Sequence, residues 1–185
     1  MNIVLAALLA KRPSAQPADS TERYLDIPIV GVIGTDIVAP GLRNALAFAS
    51  RQREVRHIVF RLDTPGGTAQ DGRAILDILD EYDDGLEYHV VIERAAGAGL
   101  VFVGAADHVY AAPHAIAGAD AASGATDTVD ELGPVLAVAA RAKSRGDALL
   151  RALVDPLAEV YIAREGDAVA LFDSAGASGA ELQLL

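Results

Sequence analysis

Four short apolar runs alternate with segments of helical spacing, and this alternation limits the fold more than any other feature of the chain. The runs are Ile27–Ile33, Arg56–Leu62, Tyr88–Glu93 and His108–Ala112. They are rich in β-branched residues, and Pro28 stands at the opening of the first, where a missing N–H is tolerated. Between them, Leu42, Ala45, Leu46 and Ala49 recur at helical spacing. Thr68 to Tyr82 carries Ile75, Ile78, Leu79 and Tyr82 on one face, and Ala98 to Ala106 reads as a helix of small residues. Strand and helix repeated three times, with strands almost uninterruptedly apolar, predict an α/β fold: a parallel sheet with covering helices and right-handed crossovers. Pro113 is expected to end the fourth strand. Ala119 to Thr128 reads as a loop, followed by helices over about residues 130–144 and 147–154. Glu159–Ala163 and Ala168–Phe172, split by Glu165-Gly-Asp167, predict a C-terminal β-hairpin. The expected organisation is an N-terminal apolar segment and linker over residues 1–24, a core domain over 25–156, and a hairpin and tail over 157–185.

Composition narrows the partners. The 185 residues are 52% hydrophobic but only 5% aromatic, which favours close helix–sheet packing over an aromatic-rich binding surface. A net charge of −11 argues against nucleic acid as a partner, since phosphate backbones select basic surfaces. Without cysteine there are no disulfides, thiolate metal sites or cysteine catalysis. The apolar run Ile3–Ala10 is too short for a span, which needs roughly 20 residues. Lys11 and Arg12 follow it instead of preceding it, against the order of a signal peptide. An export signal there implies an extracytoplasmic protein, and its absence a cytoplasmic one. The acidic set Asp77, Asp80, Glu81, Asp83, Asp84 and Glu87 is read as a solvated helix end, no Asp/His triad stands at ligand spacing, and no metal is expected. His57, His89 and His108, at strand starts or ends, are read as structural.

Two strands run into glycines. One ends in Asp63-Thr-Pro-Gly-Gly67, the other in Arg94-Ala-Ala-Gly-Ala-Gly99. A carbonyl under attack becomes a tetrahedral oxyanion, and preorganised backbone N–H groups stabilise it by several kcal/mol. Glycine suits such a site because the reacting group must approach the backbone closely. Taken alone, the Gly66-Gly67 pair fits a plain strand-to-helix turn equally well.

Together with Ala106–Pro113 and Ile116–Gly118, these motifs resemble the NfeD-type membrane-bound serine proteases of the ClpP class, whose fold is ClpP/crotonase-like. The likeness extends into Leu153–Pro156 and Glu159–Tyr161. It implies a serine nucleophile at position 97, where this chain has Gly97. It also implies a lysine base near residues 128–131, which here are Thr128, Val129, Asp130 and Glu131. The only lysines are Lys11 and Lys143. In Clp peptidase the base is a histidine, and the corresponding place here is Asp120. The two oxyanion donors implied are the amides of Gly67 and Ala98, beside Gly66. His114 and Asp130 are candidates for the cleft. The expectation is therefore a non-catalytic ClpP-class domain that needs no cofactor, binds a peptide or protein segment, and assembles as a homo-oligomer through its helices and hairpin. Membrane association is left open. Two alternatives stand beside it. One is an active peptidase with Ser123 as a displaced nucleophile; the other is a crotonase-like acyl-CoA-binding protein, to which Gly97–Leu100 and Val109–Ala112 are similar.

Overall fold

The structure, a computed structural model, describes residues 23–118, 129–142, 153, 160–165, 168–173 and 182–184. Strands β1 (Arg23–Val30), β2 (Val55–Thr64), β3 (Glu87–Ala96) and β4 (His108–Gly118) form one parallel sheet in the order β1-β2-β3-β4. Helices α1 (Ala39–Arg51), α2 (Ala69–Glu81) and α3 (Leu100–Ala105) connect them in turn, α3 being entered through a 3-10 turn at Gly97–Gly99. Strands laid down consecutively in one direction, with crossovers of one hand, place all their helices on the same side of the sheet. Burial agrees. Ile58, Phe60 and Leu62 of β2 and Tyr88, Val90 and Ile92 of β3 are buried, while His57, Val59, His89 and Val91 between them are only partly covered.

The helices carry the matching apolar faces. Leu42, Leu46 and Ala49 of α1 and Ile75, Leu76, Ile78 and Leu79 of α2 lie in the same core as the strand residues. Thr68 caps α2 by accepting a hydrogen bond from the Asp71 N–H at 3.1 Å, which satisfies one of the donors a helix start leaves open. Every residue of α3 is buried, as expected of a helix that is apolar all round and enclosed by other elements. Helix α4 (Val129–Ala142) closes over it, with Leu132, Val135, Leu136 and Ala139 in the core. Gly72 of α2 faces Ala98 and Val101, so α2 and the start of α3 approach as closely as a missing side chain permits. Phe60 packs against Tyr88 and Phe102 with ring centroids 5.7 and 5.1 Å away, joining sheet to helix layer.

The fold is the expected one, with two local differences. Strand β4 does not stop at Pro113 but continues to Gly118. Its register against β3 passes from Ile92↔Ala111 to Arg94↔Ile116, so residues 112–115 stand against Glu93 alone. A bulge on an outer strand tolerates proline because no ladder hydrogen bond is demanded of it there. The second difference is at the C-terminus. The hairpin forms from β5 (Val160–Glu165) and β6 (Ala168–Asp173), and a further strand, β7 (Leu182–Leu184), pairs with β5. Among the described residues no helix is long and apolar enough to cross a membrane.

Candidate functional site

The two glycine strand-ends meet. β2 and β3 are paired up to Thr64↔Ala95, so the segments that leave them emerge side by side. A Cβ placed on Gly66 would lie 2.9 Å from the carbonyl oxygen of Ala96 and 3.3 Å from the Cα of Gly97. Only glycine allows this approach, and Gly66 also needs its freedom for a φ of +108°. Gly97 has a φ of +48° and is buried, as are Ala98 and Gly99 behind it.

The turn after β2 is locked from within. Thr64 is fully buried, and its Oγ1 accepts a hydrogen bond from the Gly66 N–H at 3.0 Å. The Gly66 carbonyl in turn accepts from the Ile33 N–H at 2.8 Å. The amide of Gly66 is thus committed to its own turn, and Gly66 contributes shape and not a donor. Gly67 forms a bridge with Ile33 and leads into the capped start of α2. Ala98 lies in the first turn of the 3-10 segment, where backbone donors have no acceptor within the helix. Chemically, the arrangement is a cradle of backbone groups at Gly66–Gly67 and Gly97–Ala98, residues that bring no hydroxyl or basic side chain, and the one hydroxyl behind it, that of Thr64, is buried and bonded to Gly66.

Charged residues of the two motifs hold the strand ends together. Arg94 Nε donates to Asp63 Oδ1 at 3.0 Å, and the Asp63 carbonyl accepts from the Gly31 N–H at 3.2 Å. One strand back, Arg61 bridges to Asp26 of β1 at 2.8 Å. Sequence reasoning assigned no part to Thr64, Asp63 or Arg94. The opposite charges at the two motif starts were the available signal for the last pair.

Of the remaining candidates, His114 is exposed, lies in the β4 bulge, and is the one described residue other than glycine with a positive φ, +69°. Asp130 falls in the first turn of α4, and its side-chain surroundings lie outside the described residues. Ser123 and Asp120 lie outside them as well.

A parallel sheet with sequential strands, helices on one side, and a glycine-lined break between β3 and a buried short helix defines a ClpP-like α/β domain. No family model matches the chain, and no curated relative matches it. Among solved structures it is similar to 1510-N, a membrane-bound stomatin-specific protease, in the form of a lysine-to-alanine mutant in complex with a substrate peptide. That match has a TM-score of 0.57 and 16% identity, over 75% of this chain and 68% of the other. It is similar also to a serine-to-alanine mutant of the same protease, with a TM-score of 0.60 and 16% identity over 74% and 71% of the two chains. At such identity the likeness establishes the shared fold.

Proposed function

We propose that this chain is a ClpP-class protease-like domain without peptidase activity, and that it holds an extended peptide segment at the paired glycine strand-ends. The observation that carries the reading is the residue at the break between β3 and the 3-10 turn. Where the resemblance places an attacking hydroxyl, there is a buried glycine so close to Gly66 that a Cβ on Gly66 would lie 3.3 Å from its Cα. A hydrolase of this type needs a nucleophile activated by a neighbouring base, and Gly97 has no side chain to activate. What can still act is backbone: the amides of Gly67 and Ala98 as donors to a peptide carbonyl, and a sheet edge that can add an extended strand. The fold-sharing protease is known with a substrate peptide bound, which supports a peptide as the ligand class.

The test has two arms. Folded protein treated with a fluorophosphonate probe is expected to carry no label, and a labelled serine, Ser123 above all, would overturn the non-catalytic reading. Fluorescence anisotropy with a library of extended apolar peptides is expected to give saturable binding. Its absence across the library would overturn peptide capture while leaving the first arm intact.

A further inference from the structure

Three of the chain's four histidines converge at the end of the sheet away from the glycines. They come from three adjacent strands. His57 of β2 stands opposite Glu87 of β3, and His89 of β3 stands opposite His108 of β4. All four residues lie near the strand starts, seven or more residues from the strand ends, which is more than about 20 Å at about 3.3 Å per residue. His57 Nδ1 is 3.0 Å from His89 Nε2 and 3.6 Å from Glu87 Oε2, and His89 Nε2 is 3.5 Å from Glu87 Oε1.

We propose that His57, Glu87 and His89 form a binding site for a divalent transition ion of the zinc type. Four donors placed tetrahedrally at zinc bond lengths of about 2.0–2.1 Å are separated by about 3.3 Å. The observed separations, taken over both Glu87 oxygens, bracket that value, and one ligand atom from each residue lies within 4.8 Å of the others. Two imidazoles and one carboxylate select zinc and its neighbours over calcium or magnesium, which demand mostly oxygen. Supporting contacts are in place. His108 Nε2 lies 2.7 Å from Glu87 Oε1, where it orients the carboxylate. The His108 ring also stacks on His89 at 4.8 Å, and Tyr110 stacks on the same ring at 6.3 Å. A cavity of about 310 Å³ bordered by Arg56, His57, Gly85, Leu86 and Glu87 opens beside two of the three ligands. The overall charge of −11 favours cation capture. An ion held there would clamp β2 to β3 independently of the peptide cradle.

The experiment uses untagged full-length protein stripped with a chelator. Titration with Zn2+ followed by calorimetry is expected to give one ion per chain, and thermal unfolding a midpoint that climbs with Zn2+ concentration, because a ligand bound only by the folded state stabilises it. Mg2+ and Ca2+ are expected to leave the midpoint unmoved. His89→Gln and Glu87→Gln should each abolish saturable Zn2+ binding, His108→Gln should weaken it about tenfold, and His114→Asn should leave it unchanged. If a variant does not fold, Co2+ added to the wild-type protein supplies the readout, with visible absorption bands of a four-coordinate ion expected. No saturable heat and no midpoint shift with Zn2+ would overturn the site and identify a hydrogen-bonded histidine cluster only. So would Zn2+ binding that persists in both His89→Gln and Glu87→Gln.

Discussion

Gly97 turns the end of β3 through a left-handed conformation, φ +48°, which costs a residue bearing a Cβ about 1–2 kcal/mol. Gly97→Ser is therefore expected to lower unfolding stability by about that amount in urea titration, and to remain unlabelled by fluorophosphonate because no base accompanies it. Recovery of labelling would mean that a base stands beside residue 97 after all. A second residue-scale expectation concerns Tyr88. Its hydroxyl donates to the Leu79 carbonyl at 3.0 Å, and its pKa lies well above the ordinary 10.0, first because of burial and then because of Asp83, Asp107 and Asp80 nearby. The folded state thus holds the phenolic proton more tightly than the unfolded chain does. The sign follows: this contribution is fully present below pH 10 and is lost as pH climbs from there towards the folded-state value. Tyr88→Phe should cost about 1 kcal/mol at neutral pH, and its alkaline loss of stability should be shallower than that of the wild type.

At the scale of elements, β2 and the start of α3 are joined with no room for a further methyl group. A Cβ on Gly99 would come within 2.6 Å of Thr64 Cγ2, and both residues are buried. Gly99→Ala is expected to destabilise by about 1–3 kcal/mol through overpacking. Thr64→Ser removes the obstructing methyl and keeps the hydroxyl that accepts from Gly66. The double variant Thr64→Ser/Gly99→Ala should accordingly be more stable than the sum of the single effects allows. Chemical denaturation of the four proteins measures that coupling, and strict additivity would mean that strand and turn are not in contact there. The acidic segment after α2 behaves mostly as its sequence suggests. Asp77 pairs with Arg73 and Glu81 with Arg43 on the surface. Glu87 departs from that pattern, because the start of β3 carries it to the histidines of the neighbouring strands.

For the whole molecule, the helices cover one face of the sheet and leave large side chains on or beside the other open. Tyr24 and Ile116 are 69% and 62% exposed, and Val30 and Tyr110 are also largely bare. Apolar exposure of this kind, together with the resemblance to ClpP-class proteins, leads us to propose that copies of the chain associate. Sedimentation velocity at micromolar protein is expected to show a species larger than the monomer, and Ile116→Asp with Tyr110→Asp to shift it towards the monomer. A wild-type protein that stays monomeric throughout would end that proposal.

The amino-acid sequence by itself determined the alternation of elements, because helix and strand periodicities are local: Ile75, Ile78 and Leu79 mark a helix, and Ile58, Phe60 and Leu62 mark a strand, without reference to anything distant. It also marked the glycine ends and the lack of a side chain at position 97, which are facts of residue type. Contacts between strands were beyond it. That Gly66 lies beside Gly97, that Thr64 takes the Gly66 amide, and that β4 runs on past Pro113 all follow from register and layer packing. The histidine cluster shows the reason most directly. His57, Glu87, His89 and His108 are spread over 52 positions of the chain, and only parallel pairing of β2, β3 and β4 makes them neighbours.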